Sequence, residues 1–219
     1  LVAKCIEAMK NVVSIPVTVK CRIGIDDQNP NEVLPEFIAL MAKAGCEIFI
    51  IHARKAILSG LSPVENRNIP PLDYPLIYSA KISNPNLKII LNGGLRSIGE
   101  AQEQLLKVDG VMLGRAAYRT PWILSKVDTE IFFDRTTPVN HSTVIEGMIE
   151  YIKRRMAEGV PLKSITRHMM GLFHGEPGAR SWRRMLSEEA RLPGADAELI
   201  RKAFACLNSN AYQNKQRVA

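Results

Sequence analysis

The chain has 219 residues, 46% apolar and 23% charged, which is the make-up of a globular protein long enough for one large domain or two modest ones. No window approaches 18 uncharged apolar residues, which excludes a transmembrane helix. The net charge of +7 is unevenly placed: residues 1–150 hold 16 basic and 16 acidic side chains, residues 151–219 hold 13 and 6. A neutral body with a basic tail points to a polyanionic partner, nucleic acid first, although a merely solvated basic helical surface has the same composition.

The first 120 residues alternate between two periods. Leu1, Val2, Cys5, Ile6 and Met9 lie on one helical stripe. The decapeptide LVAKCIEAMK lacks a signal-peptide layout and reads as the middle of a domain, so a fragment of a longer protein is expected. A β-branched run over 17–22 follows Pro16. Val33, Leu34, Phe37, Ile38 and Met41 then repeat at 3.6, with Pro35 placed in the first turn, where no intrahelical donor is lost. Strand-like runs recur at 47–53, 88–93 and 110–115. A proline-rich loop (Pro63, Pro70, Pro71, Pro75) lies between the first two of these, and a Ser97/Glu100 capping box precedes Ala101, Leu105 and Leu106. Continuous apolar strands alternating with helices predict parallel β-structure buried on both faces.

Beyond residue 140 only the helical period remains. Thr143 and Glu146 read as a capping box, and Val144, Ile145, Met148, Ile152 and Met156 as the stripe behind it. Ile165, Met169, Leu172 and Phe173 mark a second helix, and Trp182, Met185 and Leu186 a third. Asp196 caps a fourth, which carries Leu199, Ile200, Ala203, Phe204 and Leu207. The linker is placed at Asp134–Asn140, with Thr136, Thr137 and Pro138 at its centre.

Each strand ends in polar or glycine-bearing sequence, the edge where parallel α/β folds keep their sites. Asn92-Gly93-Gly94 and Gly114-Arg115 end consecutive strands, where glycines allow close backbone approach to a phosphate; the alternative is two ordinary glycine-containing strand ends. If these are the last two strands of a (β/α)8 barrel, the chain is its C-terminal half. Lys20, inside an apolar strand, needs an anion or polar ligand edge unless it snorkels to solvent. His52 ends the next strand as a ligand contact or a structural residue. Arg22, Arg54 and Lys55 extend a basic rim. Arg180, Arg183 and Arg184 share one helical face opposite Trp182, Met185 and Leu186, and make either a phosphate-backbone reader or a solvated cationic face. Four separated cysteines, Cys5, Cys21, Cys46 and Cys206, form no metal or redox pair and read as buried small hydrophobes in a reducing setting.

The segments VTVKCRIGIDD, IHARKAILSGLSPVENRNIPPLDY, LNGG, VDGVMLGRAAYRTPWIL and HMMGLFHGEPGARSWRRMLSE together resemble the tRNA-dihydrouridine synthases of the A subgroup over essentially the whole chain. The resemblance implies an α/β fold: strands five to eight of an FMN-binding (β/α)8 TIM barrel in residues 1–135, then a small all-α tRNA-binding domain in 140–219. It implies FMN held by Lys20, His52, Asn92, Gly93, Gly94, Gly114 and Arg115, with NADPH as reductant. tRNA would be held by Lys55, Arg67, Arg180, Arg183 and Arg184, and a D-loop uridine reduced to 5,6-dihydrouridine by a cytoplasmic monomer without metal. The family's proton-donating Cys, in an N-x-G-C-P loop, has no counterpart among the four cysteines. The chain alone is therefore expected to be inactive and to bind FMN poorly. The competing readings are another FMN barrel of the dihydroorotate dehydrogenase type and a non-enzymatic RNA-binding remnant.

Overall fold

The computed structural model describes residues 1–134 and 139–216. It divides into two compact units, Leu1–Gly114 and Arg115–Ala219.

The first unit runs α1 (Val2–Lys10), β1 (Thr18–Arg22), α2 (Pro30–Lys43), β2 (Ile48–His52), α3 (Tyr74–Ser83), β3 (Lys88–Asn92), α4 (Ile98–Leu105) and β4 (Gly110–Met112). The four strands form one parallel sheet in the order β1-β2-β3-β4. In register, Val19, Phe49 and Ile89 form one row, and Cys21, Ile51 and Leu91 another on the same face. Phe49, Ile51, Ile89 and Leu91 are 0% exposed, packed with Leu34, Ile38 and Met41 of α2 and Leu76, Ile77 and Ala80 of α3. Each contributes roughly 1.5–3 kcal/mol by leaving water, so this layer carries the sheet. The opposite face is not buried as the apolar runs predicted. Ile48, Ile50, Ile90 and Met112 are half-buried, and among the described residues no second layer covers them and no further strand pairs with β1 or β4.

Two local expectations change. Helix α2 begins at Pro30, not near Val33, because Asn29 accepts a bond from the Asn31 amide at 3.1 Å and caps it. Pro35 therefore lies in the second turn and leaves the Asn31 carbonyl without its helical donor. Helix α3 occupies the end of the expected proline-rich loop: the Asp73 carboxylate caps it by accepting from the Leu76 amide at 3.1 Å, and Pro75 sits where its missing N–H costs nothing. At α4 the Ser97 hydroxyl accepts from the Glu100 amide at 3.1 Å as expected, but the Glu100 carboxylate reaches the Arg96 amide instead of that of Ser97.

The second unit contains α5 (Arg115–Arg119), a 3-10 turn over Pro121–Lys126, α6 (Val127–Glu130), α7 (His141–Ala157), α8 (Leu162–Thr166), α9 (Ala179–Glu188) and α10 (Glu198–Gln216). Its core is built on Ile145, Ile149 and Ile152 of α7, Trp182 and Leu186 of α9, and Leu199, Ile200, Ala203 and Leu207 of α10. The Trp182 indole N–H donates to the Met169 carbonyl at 3.0 Å, so the ring is buried without a stranded polar group. Trp122 packs on the same core, which draws the segment before the expected linker into this unit; Thr136, Thr137 and Pro138 lie outside the described residues. Asn140, not Thr143, caps α7, accepting from the Thr143 amide at 2.9 Å. The expected helix through Phe173 stops at Thr166 and continues as turns. Gly171 lies so close to the Arg119 carbonyl that a Cβ would come within 2.1 Å of its oxygen, and Gly175 and Gly178 take positive φ.

His141, the first residue of α7, stacks on Trp122 with ring centroids 3.5 Å apart, and its Nε2 lies 3.3 Å from a Glu176 oxygen. Burial pushes its pKa below the ordinary 6.5 against the opposing pull of Glu176, and the helix N-terminus disfavours the cation as well. The unfolded chain thus takes up the proton more readily, and the stability tied to neutral His141 is present above pH 6.5 and lost as the pH falls. Thermal melts of His141→Phe beside wild type should show the variant gaining relative stability as pH drops through that value; parallel curves would contradict the assignment.

Candidate functional site

The parallel register brings Arg22, His52, Asn92 and Met112 into one row at the C-terminal edge of the sheet, on the open face. Lys20 lies one step back on that face. Its side chain is exposed and crosses β2 to donate from Nζ to Asn92 Oδ1 at 3.2 Å. Lys20 therefore both reaches solvent and finds a polar partner. Asn92 is only 8% exposed, and its amide nitrogen donates to the Met112 carbonyl at 2.7 Å. That bond fixes the amide with its oxygen toward the ammonium.

The next two residues require glycine. Gly93 has φ +110° and Gly94 φ +80°. A Cβ on Gly93 would lie 3.2 Å from His52 Nε2, and one on Gly94 would lie 2.5 Å from Leu72 Cδ1 and 2.8 Å from Tyr74 Oη. The His52 imidazole thus stands against the turn. The Tyr74 hydroxyl donates to the Gly93 carbonyl at 2.6 Å and pins the turn from behind. Burial, helped by Glu100 and Tyr78, raises the Tyr74 pKa above its ordinary value of 10, so the hydroxyl stays a donor at neutral pH. Tyr74 opens α3 where the prolines alone predict loop, and Asp73, the cap before it, is the sequence signal for that helix. Ala53 N–H donates to the Asn92 carbonyl at 2.9 Å, and the Ala53 carbonyl accepts from the Asp73 amide at 2.8 Å, tying the segment after β2 to both.

The remaining residues at this edge divide. Gly114 ends the first unit, with nothing within 4 Å of where a Cβ would stand, so its glycine is not sterically required; Arg115 opens α5 of the second unit. Strand β4 ends at Met112, short of the expected 115. The basic rim is a set of internal braces. Arg22 Nη1 donates to the Lys55 and Asn66 carbonyls at 2.7 and 2.9 Å, Lys55 Nζ donates to the Gln28 carbonyl at 3.2 Å, and Arg54 bonds the Pro70 carbonyl. Burial, with Arg54 and Arg67 nearby, lowers the Arg22 pKa. Arg67 is exposed on a 3-10 turn, Glu65–Arg67.

Cys21 faces the helix layer, and burial pushes its thiol up to about 11, so it is no ready thiolate or acid at neutral pH. Cys46 is buried as expected, whereas Cys5 and Cys206 are exposed. Among the described residues no cluster of three His, Cys, Asp or Glu side chains is placed to hold a metal ion, and no helix is long and apolar enough to cross a membrane. On α9, Arg180, Arg183 and Arg184 are exposed opposite buried Trp182 and Leu186, and among the described residues none is in an ion pair.

A profile of the dihydrouridine synthase family matches residues 1–208. The chain belongs to the dihydrouridine synthase family. It is 56% identical over 205 residues to the tRNA-dihydrouridine(20/20a) synthase of Salmonella typhi, covering 93% of this chain and 62% of that protein. It is 55% identical over 206 residues to the Vibrio cholerae protein of the same name, covering 94% and 63%, and 55% over 205 residues to the one from Escherichia coli K12, covering 93% and 59%. The chain thus spans about three-fifths of the length of the curated relatives it matches. Membership of the dihydrouridine synthase family removes the dihydroorotate dehydrogenase-type reading.

Urea denaturation tests the glycine turn. Gly94→Ala adds a Cβ into Leu72 and Tyr74 at a positive φ and should cost about 1–3 kcal/mol. Tyr74→Phe loses one hydrogen bond and should cost about 1 kcal/mol. A Gly94→Ala variant milder than Tyr74→Phe would contradict this construction.

Proposed function

We propose that the protein carrying this sequence is a flavin-dependent reductase that converts a tRNA uridine, in the D-loop, to 5,6-dihydrouridine. The observation that carries the reading is Lys20 bonded to Asn92 beside the Gly93–Gly94 turn at the C-terminal edge of a parallel sheet, in a chain of the dihydrouridine synthase family. The four strands are read as the C-terminal half of a (β/α)8 barrel, and the helices from residue 140 onward as an all-α tRNA-binding domain. Four strands cannot close a barrel, so the reading makes this chain a fragment, inactive alone, whose flavin pocket is completed by further strands.

The residues present fit FMN. The turn at Gly93 and Gly94 is bare of side chains, because His52, Leu72 and Tyr74 already occupy the places where a Cβ would stand, so it can offer only backbone to a ligand, and Lys20 supplies a cation on the same edge. FMN bound there would supply hydride chemistry for the C5=C6 bond, with NADPH as the reductant. Lys20 would hold the pyrimidine edge of the ring through its ammonium, already oriented by Asn92, and His52 would flank it. The backbone of Asn92, Gly93 and Gly94 would hold the phosphate end, with Gly114 and Arg115 assigned to it from the resemblance. The protein is read as a cytoplasmic monomer using no metal.

For the RNA, the reading assigns Arg180, Arg183 and Arg184 to backbone phosphates, with Lys55 and Arg67 in supporting roles. Lys55 would have to leave Gln28 to serve. A salt titration of tRNA affinity tests this: the Arg180→Ala/Arg183→Ala double variant should weaken binding and reduce the slope of log affinity against log salt by roughly one unit for each phosphate that is no longer neutralised. Trp182 stays buried, so the fold should survive. An unchanged slope would mean that the arginines are only solvated.

A further inference from the structure

We propose that Tyr118, His168 and Arg167 form a preset donor site for RNA backbone phosphate on the second unit. The proposal rests on the tRNA reading above and extends it to residues assigned no role there.

Tyr118, on α5, is 60% exposed. Its hydroxyl oxygen lies 2.9 Å from His168 Nδ1, and its ring meets the imidazole edge-on, centroids 5.9 Å apart at 73°. The Arg167 Nε–H donates to His168 Nε2 at 3.0 Å. A guanidinium can only donate, so Nε2 is the acceptor nitrogen of the ring and Nδ1 carries the ring proton. Nδ1–H then donates to the Tyr118 oxygen, and the phenolic hydrogen is left to point outward. The chain of bonds therefore begins at a permanent cation and ends in an O–H with no acceptor among the described residues, each link polarising the next. The terminal nitrogens of Arg167 remain for a second donation, and among the described residues Arg167 is in no ion pair.

The site is held rather than loose. Gly171 brings the turn after His168 directly against the Arg119 carbonyl, with no side chain between them. That close approach places the end of α5 beside Gly171, three residues from His168, where Tyr118 and His168 meet. Arg119, next to Tyr118, is exposed and likewise in no ion pair among the described residues. An exposed array of donors with no carboxylate matches an anion with several oxygens. The excess of 13 basic over 6 acidic residues in 151–219 makes a polyanion the expected source of it.

The test is tRNA affinity of the protein at the length of its relatives across a salt series, with Tyr118→Phe, Arg167→Ala and His168→Ala. Tyr118→Phe keeps the ring and its edge contact, so the melting temperature should hold. Its affinity should fall about three- to tenfold at every salt concentration with the slope unchanged, because the removed donor is neutral. Arg167→Ala should lower the slope by about one unit. His168→Ala should remove most of the Tyr118 effect, so that the double variant is no weaker than the stronger single one. Wild-type binding with Tyr118→Phe indistinguishable from it would overturn this site and leave the tRNA reading standing. No tRNA binding by the wild-type protein at that length would overturn both. A Tyr118→Phe loss on poly-glutamate but not on tRNA would assign the donors to a carboxylate partner and overturn the phosphate proposal.

Discussion

Asn92 is almost wholly removed from water, with its amide nitrogen on the Met112 carbonyl and its oxygen on the Lys20 ammonium. A buried carboxamide left without these partners would cost about 1–3 kcal/mol, so its place in the sheet fixes theirs. One bond ties β3 to β4. The other draws a long side chain from β1 across β2, so that a cation from the far strand arrives beside the turn at Gly93. The backbone of Asn92 also receives the Ala53 amide, and Ala53 in turn receives the amide of Asp73, which caps α3 and places Tyr74 behind Gly93. The working edge of the first unit is thus held by hydrogen bonds that meet at a single residue, through both its side chain and its backbone.

In the second unit the deciding feature is how its few acids are spent. Glu146 and Glu198 hold Arg201, Glu150 holds Lys153, and Glu158 holds Arg155. Such exposed pairs contribute only about 0–1 kcal/mol each. Their larger effect is on where charge is left over: these pairs lie on α7 and α10, while Arg180, Arg183 and Arg184 on α9 are in no ion pair among the described residues. A polyanion would be drawn to that remaining surface.

Much of this was legible in the sequence, and the gaps have physical causes. All four strands were found, because Ile and Val runs bounded by glycine leave little else for the chain to form. That Lys20, His52 and Asn92-Gly93-Gly94 gather at or next to one sheet edge is legible from the strand ends alone. Helix α3 was hidden because prolines were taken as loop markers, although Pro75 stands where a helix start tolerates it. The turns after Thr166 were hidden because their buried residues keep a helical period, while Gly171 is there to let two backbones meet. The basic rim was misread for a different reason. Composition counts charges but cannot see that Arg22, Arg54 and Lys55 point at backbone carbonyl oxygens of the segments that follow β1 and β2.

Under the proposed function, the open face of the sheet, and not the helix-covered one, would hold the flavin. Flavin affinity in the protein at the length of its relatives decides it, with Lys20→Ala compared with Cys21→Ala. These neighbours project to opposite faces of β1. The account requires Lys20→Ala to weaken flavin binding at least tenfold, as expected when a charged hydrogen-bond donor is removed, while Cys21→Ala stays within about twofold of wild type because its thiol touches only the core. Equal losses, or a greater loss at Cys21, would contradict it.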